Sequence, residues 1–568
     1  MNHAQEKLAR NALLRRDGGL LRDFHAMRWD EPLIMEMGRP GERGVIPPQA
    51  TDVAADVAPA EDLLPAALVR RSPPALPEVS QPQVLRHFTR LSQMTLGIDV
   101  TIDIGEGTCT MKYSPKVNEQ LVRSHKVLEL HPEQPEGSLQ GILEICHRMA
   151  GMLCEISGMD DFSFQPGGGS AAAFGFAAMA RKYFHERGED RRDEVITTIF
   201  SHPCDSACPA TAGYKIITLM PADDGYPDLE ALRAALSERT AAIMITNPED
   251  TGIFNPAIRE YTQAAHDAGA LCYCDQANLN GLLGVSRARE AGFDACHFNL
   301  HKTFGSPHGC KGPGAGALGV TAALAPYLPA PHIVAVADGS AEHGIRYHLD
   351  SRRPHAIGKL RAFLGNLAVV VRAYAWTMSL GARGLREVAE VSIINNSYLE
   401  AQLREIRGVS YPYAEGRRRW DQIRYSFEAL KEDTGFGTED MKARFCDFGV
   451  QTWFTSHRPW IVPEPFTPEP CETYSKEDLD YWAAALKRSV DDAYDRPELL
   501  ASAPHNQACG RIRTWERFVE PGEWAVTWRA YRRKHGGGGR GDEPDERSPQ
   551  AGLRESRWVV QSGHDDPD

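Results

Sequence analysis

From about residue 84 the chain falls into short apolar runs separated by amphipathic stretches. Glu194–Phe200 (EVITTIF), Tyr214–Leu219 (YKIITL), Ala241–Asn247 (AAIMITN), Ala270–Asp275 (ALCYCD) and Ala295–Leu300 (ACHFNL) are β-branched and apolar almost throughout. That is the composition of strands buried on both faces. Asp228–Leu236 and Ala257–Ala268 read as helices between them, and such alternation predicts a mostly parallel α/β sheet. Upstream, the stretch QVLRHFTRLSQMT from Gln83 is an amphipathic helix. Gly137–Ser157 sets Leu139, Ile142, Leu143, Ile145, Met149 and Leu153 on one side at helical spacing. A short strand near Phe162 leads through Gly167-Gly168-Gly169-Ser170 into a helix of small residues. After Pro331 the pattern loosens, resumes in a long apolar helix over Leu367–Leu380, and becomes mixed from Gly384 to Ala503, as in a second, smaller α+β domain.

The pattern implies a polar extension over 1–30, an arm with a polar loop over 31–130, a large domain over 131–350 and a small domain over 351–510. An extension over 511–568 completes it, and GGGGRGDEPDERSPQ from Gly536 has the composition of a disordered tail. The prolines and glycines of Glu36–Pro48 cannot continue a helix, which suits an arm. With 568 residues, 42% of them hydrophobic, and no long apolar run, the expectation is a soluble globular protein without membrane spans. A net charge of -14 argues against a nucleic-acid surface and favours small polar substrates or protein partners. The N-terminal segment lacks the apolar core of a secretory signal. The 12 cysteines repeat at no zinc-site spacing, so reduced thiols in the cytoplasm and no metal are expected.

Functional residues of open α/β sheets gather at the carboxyl ends of strands, and that rule selects His202, Asn247, Asp275 and Lys302. A lysine is costly to bury, so Lys302 is either an exposed turn residue or an amine in covalent chemistry. Asp275 stands 27 positions earlier, at the end of the preceding strand. The pair suits pyridoxal phosphate: the amine forms a Schiff base with the aldehyde, and a buried carboxylate holds the proton on the pyridine nitrogen. Gly167, Gly168, Gly169 and Ser170 could cradle the phosphate on unpaired backbone N–H groups, although a glycine turn before a tightly packed helix would look alike. His202 could stack on the ring and Asn247 could donate to its phenolic oxygen. His301 adjoins Lys302. A polar loop from Gly105 to Glu119 supplies Thr108, Thr110, Lys112 and Tyr113.

These residues sit in longer motifs. HFNLHKTFGSPHG, GPGAG, YCDQANLNG, HFTRLSQMT, CTMKYSPKVNE, HPEQPEGSLQG, RAFLGN, VRAYAW, ETYSKEDLD and SAPH closely resemble subunit 2 of the two-subunit glycine dehydrogenase (decarboxylating), the P-protein of the glycine cleavage system. The resemblance runs from about Glu31 to Pro504. It implies a fold-type I pyridoxal-phosphate enzyme, similar to aspartate aminotransferase, with Lys302 as the Schiff-base lysine, Asp275 facing the pyridine nitrogen and His202 stacking on the cofactor. It further implies glycine decarboxylation with aminomethyl transfer to a lipoyl group on an H-protein-like carrier, an alpha-type partner subunit and an oligomer. Thr108, Thr110, Lys112 and Tyr113 would belong to a loop approaching the active site, and with His308, Cys310 and Lys311 they would lie near the substrate. The chain departs from the family at Cys310 and Lys311, in the phosphate loop (PGGGSAAAF) and around His202 (FSHPCDSAC). Those departures leave open the transformation of another amino acid. A non-catalytic scaffold would need neither Lys302 nor Asp275.

Overall fold

The computed structural model describes residues 20–22, 24–46, 56–57, 59–72, 74, 76–105, 109–110, 112–308, 312–341, 344–413, 416–457, 459–508 and 510. Thr108, Cys310, Lys311, residues 1–19 and the tail from 511 lie outside them. The chain divides into two compact units, and the described parts of these are 20–29 with 90–510, and 30–89. In the smaller unit His87 Nδ1 lies 2.8 Å from Glu31 Oε1, and most other side chains are exposed.

The larger unit is built on seven strands: β1 (Asp161–Ser163), β2 (Glu194–Thr198), β3 (Lys215–Leu219), β4 (Thr240–Thr246), β5 (Leu271–Asp275), β6 (Ala295–Asn299) and β7 (Gly316–Val320). Their order is β1-β7-β6-β5-β4-β2-β3. Neighbours from β3 across to β6 are parallel, and β7 runs antiparallel to both β6 and β1. The five apolar runs thus become β2 to β6, within two residues of the expected ends. Side chains alternate between faces. Ile196, Ile243, Ile245, Cys272 and Cys274 join a core with Met149 and Leu153 of the helix Gln140–Ser157, whereas Val195, Met244 and Tyr273 meet Ala172, Phe176 and Met179 of the helix Gly169–Glu186. Each large apolar side chain so buried contributes about 1.5–3 kcal/mol. The small residues of the second helix let it lie close to the sheet.

β7 was not anticipated. Its sequence, Gly-Ala-Leu-Gly-Val, looks like an extension of the glycine loop, yet every residue is buried. The glycine at 319 is required because the Phe162 ring occupies the space of a Cβ. Beyond it lie a two-stranded hairpin, His332–Ala337 with Ile345–Asp350, and the helix Leu367–Leu403, which runs past the expected end and kinks at Gly381 (φ 62°, ψ 178°). Residues from Leu399 onward enclose a separate core with Tyr425, Phe427, Trp453, Phe466 and Trp482. Among the described residues no helix is long and apolar enough to cross a membrane.

Candidate active site

Lys302 follows β6 in a turn whose backbone N–H donates to Asn299 O (3.0 Å), and its side chain is buried, only 7% exposed. Asp275 ends the adjacent strand at 3% exposure. Both line one cavity with His202, Glu249, Asp250, Asn278 and Asp421. The structure therefore brings Lys302, Asp275 and His202 together.

The two oxygens of Asp275 have different surroundings. Oδ1 accepts the Ala277 N–H (2.9 Å) and lies 3.5 Å from His297 Nε2. Oδ2 is approached by the Cys204 thiol at 3.7 Å. Burial opposes ionisation of this carboxyl. The fields of His297 and His202, the Ala277 N–H and the Lys302 charge outweigh it and hold the group below the usual carboxylate range. His297 is fully buried, stands opposite Asp275 in the β5–β6 register, and passes its other nitrogen to the Tyr273 hydroxyl at 2.5 Å. Asp205 behaves oppositely: burial first, then the nearby Asp275 charge, keeps its carboxyl protonated well above its ordinary value. Burial also lowers the basicity of His202, so its ring is biased towards the neutral form. Its Nδ1 accepts the Cys204 N–H (3.1 Å), and the ring meets His457 edge-on at 4.8 Å.

The glycine loop and His301 form a second group. The helix Gly169–Glu186 starts at Gly168, whose lack of a side chain leaves the first-turn N–H groups uncapped. His301 accepts the Ala315 N–H at Nδ1 (3.2 Å), packs its ring 4.2 Å from that of His308, and faces Gly168. Burial drives its conjugate acid down to about 3, so the ring is neutral with its proton on Nε2. Gly316 N donates to Pro166 O (2.9 Å), and a Cβ on Gly316 would stand 2.5 Å from Gly168 O. Bare backbone therefore meets bare backbone here. Ser170 is exposed. Asn247 binds Asn255 through both ends of its amide, accepting at 2.8 Å and donating at 3.2 Å, which leaves one N–H.

Thr110 and Lys112 have structural partners close by. Lys112 Nζ donates to Thr303 O (2.8 Å) and Asn280 Oδ1 (3.0 Å) and pairs with Glu472 (2.9 Å), tying its segment to the turn that carries Lys302. Thr110 donates to Glu469 Oε1 (2.5 Å), which also accepts from Asn278 Nδ2 (2.5 Å). Tyr113 is 43% exposed. The partners Glu469, Asn278, Asp421, His297 and Tyr273 escaped the sequence reading. His297 could have been found from strand register. Glu469 carries no local signal, because it reaches the site from nearly two hundred residues away.

These surroundings fit pyridoxal phosphate. A buried amine and an ionised carboxylate flank one cavity. Near an uncapped helix start, Asn299 Oδ1 is buried without a hydrogen-bond partner, and a Cβ on Gly169 would stand 2.9 Å from His297 Nε2. A mostly parallel sheet with this lysine, carboxylate and glycine loop defines a class-V aminotransferase fold, and the Aminotransferase class-V family matches residues 167–326. Enzymes of this class depend on pyridoxal phosphate, and the chain is one of them.

The chain belongs to the glycine dehydrogenase (decarboxylating) subunit 2 family. It is 42% identical over 510 residues to the probable glycine dehydrogenase (decarboxylating) subunit 2 of Pyrococcus abyssi, covering 90% of this chain and 98% of that protein. The protein of the same name from Caldanaerobacter subterraneus is 38% identical over 482 residues, 84% of this chain and 96% of that one. A crystal structure of an inhibitor-bound glycine decarboxylase (P-protein) of the glycine cleavage system shares the fold with a TM-score of 0.65 at 23% identity, covering 78% of this chain and 99% of that one. A NifS-like protein does so at 0.52 and 16%, over 68% and 98%.

Proposed function

We propose that this chain decarboxylates glycine and hands the remaining aminomethyl group to a lipoyl group on a small carrier protein, working beside an alpha-type companion subunit. The observation that carries the reading is the buried Lys302 next to the ionised Asp275 in a chain of this family. When bound, pyridoxal phosphate supplies the electron sink that makes loss of CO2 from an amino acid feasible. Lys302 Nζ would be the amine that holds the cofactor aldehyde. Asp275, whose Oδ1 accepts from Ala277 and lies 3.5 Å from His297, would keep the pyridine nitrogen protonated. The neutral His202 ring would offer an uncharged face to stack against, and the first-turn N–H groups after Gly168 would hold the phosphate. Transfer forms a bond from the glycine α-carbon to one lipoyl sulfur, breaks the S–S bond and leaves the other sulfur as a thiol.

Relatives carrying the name subunit 2 support a companion chain. We assign the protein to the cytoplasm, since no described cysteine forms a disulfide. The test is exchange of the glycine carboxyl group with labelled bicarbonate, with companion subunit and lipoyl carrier supplied. Wild type should exchange label and absorb visible light as a lysine-bound cofactor does. Lys302→Ala should lose both, by more than about a thousandfold in rate. Exchange with another amino acid and none with glycine would refute the assignment.

A further inference from the structure

Arg361 belongs to the motif RAFLGN, to which no role has been attached above. Its segment is stapled along the glycine loop. Leu360 N donates to Gln165 Oε1 at 3.1 Å, and the Leu360 side chain fills the space over Gly175, where a Cβ would come within 2.7 Å of it. Gly365 presses on Phe164 O so closely that a Cβ there would overlap it, and Asn366 Nδ2 donates to Gly314 O. With residues 360, 365 and 366 so held, the guanidinium of Arg361 comes to rest on Gly167. A side chain at 167 would collide with Arg361 Nη1.

Arg361 is exposed, and its guanidinium has no carboxylate or carbonyl partner among the described residues, although such forks pair readily with anions. It stands two residues before an uncapped helix start, where unpaired N–H groups and the helix dipole already favour negative charge. A buried donor also stands at that start: Asn299, 5% exposed, places its Nδ2 amide group 3.3 Å from where a Cβ on Gly169 would stand, within reach of an anion seated on the loop. His301, with its proton on Nε2, borders the same loop.

We infer that Arg361 binds the phosphate monoester of the cofactor at the 167–170 loop. The inference rests on the proposed seating of pyridoxal phosphate with its phosphate on that loop. It adds a charged, side-chain contribution to a cradle otherwise made of backbone, so affinity for the phosphorylated cofactor depends on a residue far along the chain.

The full-length apoenzyme is titrated with pyridoxal phosphate and, separately, with pyridoxal, following tryptophan fluorescence. Wild type should bind the phosphorylated form far more tightly. Arg361→Gln should weaken pyridoxal phosphate by about tenfold to a hundredfold and leave pyridoxal within about twofold. Arg361→Lys, which keeps the charge and loses the fork, should fall between them. Lys359→Gln, the neighbouring exposed cation, should match wild type for both ligands. Equal weakening of both ligands by Arg361→Gln, or the same effect from Lys359→Gln, overturns the role of Arg361. Unchanged discrimination in Arg361→Gln does so too, while leaving the seating intact. A wild type that binds pyridoxal as tightly as its phosphate overturns the seating itself.

Discussion

Acids crowd the cavity beside Lys302, and they are not in the same state. Asp275 is ionised because two histidines, a backbone N–H and Lys302 face it. Glu249, almost as buried, has only the Thr198 hydroxyl on Oε1 (2.6 Å); burial and the Asp250 charge push its carboxyl up to about 8 from 4.5. The folded chain therefore holds a proton that the unfolded chain has lost between those values. Its stabilising contribution is complete below pH 4.5 and is lost as pH rises through 8. Glu249→Gln keeps an acceptor for Thr198 and removes the titration. Urea unfolding should show that the variant gains stability relative to wild type on going from pH 5 to pH 8, by on the order of 3 kcal/mol. A constant difference across that range would mean that Glu249 does not titrate there. The acids that set the cavity's charge were only partly legible in the sequence. Asp275 declared itself at a strand end, whereas Glu249 and Asp250 follow Pro248 in what reads as an ordinary turn, and Asp421 arrives from another core.

At the scale of elements, strands buried on both faces gave themselves away, since a parallel sheet needs unbroken apolar runs. β7 did not, because the same glycines that make it possible under Phe162 and against Gly168 erase its strand composition. The helix Leu367–Leu403 outruns its expected end at 380 for a related reason: Gly381 breaks the helical backbone, and the chain then resumes helix. With φ 62° and ψ 178°, Gly381 occupies a region nearly closed to other residues, yet no atom would obstruct a methyl group there. Gly381→Ala isolates backbone strain from packing. It should lower stability by about 1–3 kcal/mol, read as a shifted urea midpoint with an unchanged slope. A neutral result would mean that the kink straightens at no cost.

For the whole molecule, the contrast lies between a unit rich in buried core and the unit of residues 30–89, where the paired side chains of His87 and Glu31 are buried and no apolar residue among those described is. Such a segment has little apolar burial to oppose local opening. Limited proteolysis of the chain alone should cut within 30–80 before anywhere in 140–320, and adding the companion subunit should slow that early cut severalfold if the arm is part of the assembly. Cleavage first within the sheet domain would contradict this order. Proline and glycine content points to an arm in the N-terminal region, but no local pattern tells which surface covers an arm.

The contact of Gly316 with Gly168 bears on how such a chain can diverge. A side chain at 316 would strike the Gly168 backbone, whereas a Cβ on Gly168 would meet nothing closer than 3.9 Å, so it is the strand returning from the lysine turn that is held to glycine. Strand-end positions such as 203–205 and 249–250 are under no such constraint. New specificity in this lineage is therefore to be sought in a ring of replaceable side chains around an unalterable frame.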